Sequence, residues 1–144
     1  MEINITTKQA TFFVATLSVV RTQEDNTEKR VKEQYAIDAQ SFTEAEKKVY
    51  EQITGSELEL KDLTIAPYKE AFLSAGDRFY RVKVNMITFD ERTGKGKKSP
   101  VCYLVQASST AEAQRIADKV LGSTMLDYTT ESVIETKIIE IISE

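Results

Sequence analysis

The chain has 144 residues and a formal net charge of −4, with 41% hydrophobic and 29% charged residues, five glycines and two prolines. This composition excludes a disordered or low-complexity chain, and the length fits one ordinary domain that buries roughly 70% of its unfolded surface. Histidine is absent and Cys102 is the single cysteine, which excludes a disulfide framework and the usual zinc spacings, and no apolar run approaches the roughly 20 residues of a membrane span.

The start, MEINITTKQA, lacks the basic residues and apolar core of a signal peptide, so a cytoplasmic location is expected. Charge is uneven. Residues 1–75 carry 9 basic and 13 acidic side chains, and residues 76–144 carry 10 of each. General attraction to nucleic acid or anionic lipid is therefore not expected, although a local basic patch is compatible with these totals.

Phe12 to Val20 alternates with Phe13, Ala15, Leu17 and Val19 on one face, the period of a strand. Residues 21–34 hold four basic and four acidic side chains without Gly or Pro and read as a long polar hairpin. The chain returns with Tyr35, Ile37 and Ala39 on one face. Ser41 then caps a helix, with Glu44 placed to reach back to the cap amide and Phe42, Ala45, Val49 and Ile53 facing the sheet. Gly55 is expected to end that helix. Leu58, Leu60, Leu63 and Ile65 suggest a third strand, stopped or moved to an edge at Pro67. Residues 74–77, Ser-Ala-Gly-Asp, form the expected joint between halves.

The second half repeats the plan. Residues 35–49, YAIDAQSFTEAEKKV, recur 68 positions later as YLVQASSTAEAQRIA, so Tyr35, Ala39, Ser41, Glu44 and Ala45 return as Tyr103, Ala107, Ser109, Glu112 and Ala113. Before this copy, FYRVKVNMITF sets Tyr80, Val82, Val84 and Met86 on one strand face, and DERTGKGKKS reads as a second hairpin tip. After it, Ala113, Ile116, Ala117, Val120 and Leu121 form a helical stripe closed by Gly122. The run from Tyr128 to Ile142 fits a strand and also a helical stripe through Ile134, Ile138, Ile141 and Ile142. The expected fold is α+β: one compact domain of two tandem ββαβ repeats (11–73 and 78–142) with pseudo-two-fold symmetry, its helices packed on antiparallel sheet.

Catalysis has few candidate groups. Without histidine, general acid-base chemistry would need paired carboxylates, and Glu44, Glu46, Glu112 and Asp118 fall at capping or solvent positions. Cys102 reads as a strand residue, and Gly94-Lys95-Gly96-Lys97-Lys98 leads into a strand, unlike a phosphate loop. No enzyme, cofactor, metal or small-molecule substrate is expected. The candidate binding face is Phe79, Arg81, Lys83 and Phe89 on the outer side of the second unit, with Arg92, Lys95, Lys97 and Lys98 at its hairpin tip. Interleaved aromatic and basic side chains of this kind suit single-stranded nucleic acid, while the matching residues Phe12, Val14, Thr16 and Ser18 carry no charge. Leu104 and Cys102, opposite Tyr103, make that strand apolar on both faces, so it is either central or an interface; the isoleucine tail is a second candidate interface.

The phrases DAQSFTEAE, RVKVNMITFDE, YLVQASS and ESVIETKIIEII together resemble domain of unknown function 4494, a family carried by gut Bacteroidetes and their phages, over about Phe13 to Ile142. That resemblance transfers no activity and no catalytic residues; it implies a bacterial or phage-infected cytosol. The expectation is a non-enzymatic module that binds a protein partner or another copy of itself, with single-stranded nucleic acid as the alternative and no membrane.

Overall fold

The computed structural model describes residues 4–143; Met1 to Ile3 of the N-terminal stretch read above, and Glu144, lie outside them. In chain order the elements are β1 (Thr6–Gln9), β2 (Phe12–Thr22), β3 (Glu28–Asp38), α1 (Phe42–Gln52), β4 (Ser56–Ile65), β5 (Tyr68–Leu73), β6 (Arg78–Phe89), β7 (Gly96–Ala107), α2 (Thr110–Gly122), β8 (Asp127–Glu135) and β9 (Ile138–Ile142). The fold is α+β, with two helices and two mixed sheets. The chain divides into two compact units, and it changes unit after Gln9, after Ala66 and after Thr136.

One unit comprises Ala10–Ala66 and the C-terminal residues from Lys137. Its sheet has the order β4-β2-β3-β9. The β-branched and aromatic alternation of β2 pairs antiparallel with β3, setting Phe13 against Ile37 and Val19 against Val31. Phe13, Ala15 and Leu17 meet Tyr35 and Ile37 under Ala45, Val49 and Ile53 of α1, and Ile142 of β9 completes this core. Phe42, half exposed, still sets its ring edge-on to Phe13 at 5.0 Å. Ser41 caps α1 as expected, its Oγ accepting from the Glu44 amide at 3.1 Å. The Glu44 carboxylate reaches one residue further back than the cap, accepting from Gln40 N at 2.9 Å; Ser41 is extended, and the amide before it is the one presented to the helix.

Gly55 does not end α1. The helix stops at Gln52, and Ile53 donates its cap N–H to Val49 O. A side chain at position 55 would collide with Val19 and stand 3.2 Å from Arg21 Nη1, so this glycine serves close approach instead of capping. α2, in contrast, does end at Gly122 as expected, and beyond it Ser123 and Thr124 donate their hydroxyls to Val120 O and Leu121 O.

The other unit comprises Pro67–Thr136 and the N-terminal residues up to Gln9, with the order β1-β5-β7-β6-β8. The β6–β7 hairpin is antiparallel, Val82 facing Tyr103. Tyr80, Val82, Val84, Tyr103, Val105 and Phe72 pack beneath Ala113, Ile116, Ala117 and Leu121 of α2, and Phe72 stacks on Tyr103 at 4.9 Å. β7 is a central strand, and Leu104, on its face away from α2, is buried. That accounts for a strand apolar on both sides.

Three expectations are corrected here. Residues 74–77 are no joint between units: they turn β5 into β6 within one of them. Gln106 fixes that turn, its Nε2 donating to Gly76 O at 2.8 Å while Ser74 Oγ donates to Gln106 O at 2.5 Å. Each ββα stretch is also followed by two strands instead of one. β4 ends at Ile65, the donor-less Pro67 interrupts, and β5 resumes at Tyr68 in the other sheet. The tail is strand throughout but broken at residues 136–137, so β8 joins β6 and β9 joins β3. Because β5 and β9 pair parallel with β7 and β3, the sheets are mixed and not antiparallel.

Candidate interaction surfaces

The side-chain period of two fixes what the β6–β7 hairpin presents. Phe79, Arg81, Lys83, Asn85, Ile87 and Phe89 share the face of β6 away from α2, and the register puts Lys98 across from Ile87 on that same face. Lys97 faces Thr88 and lies on the other side. Phe79 is buried, whereas Phe89 is 66% exposed and leans over Gly96, whose added Cβ would lie 3.6 Å from the ring. Lys83 is half-buried and pairs with Glu131 at 3.6 Å; Asn85 donates to the same carboxylate at 3.3 Å. Arg81, Lys83, Lys98 and Phe89 therefore form a track about 27 Å long, eight strand residues at roughly 3.4 Å each, instead of one patch.

Arg92 and Lys95 sit in the tip, ordered by Asp90, which accepts from Arg92 N at 2.8 Å and, through its backbone, from Gly94 N at 2.7 Å. Gly94 has φ 69, a left-handed turn position. Among the described residues Arg92, Lys95, Lys97 and Lys98 make no ion pair, and all four are exposed.

The polar hairpin of residues 21–34 proves more organised than a solvated tip. Arg21 grips Glu33 in a bidentate pair, Nη2 to Oε1 at 2.8 Å and Nε to Oε2 at 3.1 Å, and donates through Nη1 to Thr54 O at 2.6 Å. Tyr35 donates its hydroxyl to Glu33 at 2.9 Å. The Arg21 guanidinium holds the Glu33 carboxyl below its ordinary value, and burial, with the bond to Glu33, pushes the Tyr35 hydroxyl up to about 12. Arg30 donates to Ser18 Oγ at 2.9 Å and pairs with Glu57 at 3.3 Å. Sequence reasoning missed the first cluster, although its signal was parity: Arg21, Glu33 and Tyr35 are odd-numbered, like Phe13 and Ile37, and so fall on the α1 side. Beside it lies a cavity of about 130 Å³ lined by Arg21, Tyr35, Gln52, Ile53, Thr54, Glu140 and Ile142.

The sheet edges differ in chemistry. β4 carries Glu57, Glu59, Lys61 and Asp62 and two register shifts, β8 carries Asp127, Glu131 and Glu135 and one shift, and β1 is four polar residues. Such charges and bulges blunt an edge against further pairing. β9 reads IIEII, with Ile139 49% exposed. No described helix is long and apolar enough to cross a membrane.

No curated protein and no solved structure matches the chain. A family model, described as a domain of unknown function (DUF4494), matches residues 11–144, and the chain belongs to that family.

Proposed function

We propose that this chain is a non-enzymatic protein-interaction module, and that its contact surface is the outer edge of β9. The observation that carries this reading is a contrast between two strands in corresponding places. β5, parallel to β7, has its outer edge covered by antiparallel β1; β9, parallel to β3, ends its sheet among the described residues. The correspondence rests on a duplicated unit. Gln34 and Ile37, which face Ile138 and Ile142, lie 68 residues before Cys102 and Val105, which face Tyr68 and Phe72 (102 − 34 = 68; 105 − 37 = 68), and each pairing shifts register at the same step. On this reading each copy is ββαβ plus a fourth strand given to the sheet of the other copy.

The partner is a second copy of the chain. An antiparallel β9–β9 pairing centred on Ile141 sets Glu140 against Ile142 and keeps the two carboxylates apart, which favours a two-fold contact. Strand addition alone buries less than the roughly 1,000 Å² of a stable interface, so association is expected in the micromolar range or weaker. Sedimentation equilibrium across a wide concentration range tests it. A reversible dimer that Ile139→Lys abolishes without changing the circular dichroism supports the reading; a monomer at every concentration rejects it.

A second reading is favoured by the tip cations, which make no ion pair among the described residues, and by exposed Phe89. Single-stranded nucleic acid would run along Arg81, Lys83, Phe89 and Lys98 with Arg92, Lys95 and Lys97 alongside; buried Phe79 takes no part. Fluorescence anisotropy with labelled oligonucleotides at low salt is the check: salt-sensitive binding lost in Arg81→Glu/Lys98→Glu supports it, and no binding rules it out.

A further inference from the structure

We infer that the cavity at the end of α1 is a binding site for a primary ammonium group, the head of a lysine side chain or of a small free amine. Its lining is rich in acceptors. Glu140 lies across from Tyr35 in the β3–β9 register, on the α1 side of the sheet, and makes no ion pair among the described residues. Arg21, the one cation in the wall among the described residues, is balanced by Glu33 and anchored on Thr54 O. Glu140 is thus the unbalanced charge, reinforced by the carbonyl end of α1, where the helix dipole favours cations. Tyr35 is only 7% exposed and donates to Glu33, which leaves its oxygen as an acceptor. Ile53 and Ile142 supply apolar wall for a methylene stem. At about 130 Å³ the space is below the roughly 300 Å³ of a drug-sized site, yet holds an ammonium head with part of its chain.

The scaffold itself does not require the polarity of Gln52 and Thr54. At the positions 68 residues on, Glu33, Gln52 and Thr54 become Val101, Val120 and Gly122, and Tyr103 stacks on Phe72. The acid itself is common to both copies, since Glu70 faces Tyr103 as Glu140 faces Tyr35, and what sets this place apart is the polar wall of Gln52 and Thr54.

The site stands independently of strand addition at β9, and the test keeps the two apart. The full chain is titrated with n-butylammonium, with neutral N-butylacetamide and with butyrate at matched ionic strength, while backbone amide shifts are followed. Saturable shifts at Arg21, Thr54, Glu140 and Ile142 with butylammonium alone, weakened about tenfold by Glu140→Gln, are expected. Absence of saturation, equal shifts with the neutral amide, or indifference to Glu140→Gln would overturn the inference. Tyr35→Phe serves as a second variant, expected to weaken binding severalfold while leaving the fold intact. A short extended peptide with a central lysine then separates the sources: tighter binding than butylammonium, with slowed exchange at β9 amides, assigns the site to a partner's lysine, and equal binding assigns it to a free amine.

Discussion

Replacing Phe72 by alanine tests the least expected feature of the fold, the assignment of β5 to a sheet other than that of β4. Phe72 is fully buried, stacks on Tyr103 and belongs to the core beneath α2. Removing a buried phenyl ring costs about 3–5 kcal/mol through lost transfer energy and the cavity left behind. At the lower end that raises the population of the opened unit by roughly 100-fold. Hydrogen exchange read by mass spectrometry should show that acceleration in peptides from β6, β7 and α2, with β2, β3 and α1 little changed. Ile142→Ala should do the reverse, by a smaller factor, because Ile142 lies in the core under α1 although it follows β8 in the chain. Were strands grouped by sequence proximity, Phe72→Ala would loosen β2 to β4 instead. That pattern would refute the assignment.

Two further predictions concern local contacts. An added Cβ at Gly76 would fall on the backbone of Ala107, which cannot yield as a flexible side chain does, so Gly76→Ala should cost about 3 kcal/mol or more in a urea melt. Gly94 has open space and a left-handed φ, so Gly94→Ala should cost only about 1–2 kcal/mol. The third prediction concerns pH. The Tyr35 hydroxyl is raised from an ordinary 10 to about 12, so the native state holds this proton more tightly than the unfolded one. Its contribution is fully present below pH 10 and lost as pH rises through about 12, up to about 3 kcal/mol in all. Thermal melts should therefore fall less steeply across that window in Tyr35→Phe than in the parent; equal slopes would contradict the environment assigned to Tyr35.

Local elements were legible because they answer to local rules. Period-two burial in Phe13 to Leu17 and in Tyr80 to Val84, and the Ser41 and Ser109 caps, follow from side-chain alternation and from orphan amides at a helix start. Strand partnership did not follow, since nothing in YKEAFL or IIEII states which hairpin each will join. Parallel pairing at long separation is chosen by the packing of both cores. Pro67 signalled that pairing stops, but not that it restarts elsewhere. The candidate face was half legible: parity placed Arg81, Lys83 and Phe89 together, whereas the burial of Phe79 depends on tertiary packing that alternation cannot report. The Arg21, Glu33 and Tyr35 cluster was hidden by a compositional reading, in which eight mixed charges over residues 21–34 stood for a solvated hairpin.

Under the proposed duplication, differences between the copies are a better guide to function than their likeness, because whatever both copies share is explained by building the sheet and starting the helix. In the Arg81 and Lys83 track, charge replaces the neutral Val14 and Thr16; in the cavity wall, Gln52 and Thr54 stand where the other copy has Val120 and Gly122. The cavity has the stronger claim on a ligand. Lys83 already has Glu131 within 3.6 Å, whereas Glu140 is exposed with no ion pair among the described residues. Glu140 and Ile142 also belong to β9, so the cavity and the strand edge are neighbouring parts of one surface. A strand added to β9 would set the residue opposite Glu140 on the α1 side of the sheet, beside the cavity mouth. In the pairing of two copies centred on Ile141 that residue is Ile142, so the ammonium would come from a free amine or from a different strand with lysine at that place, and such a strand shifted by one residue would turn its lysine to the opposite face and lose the site.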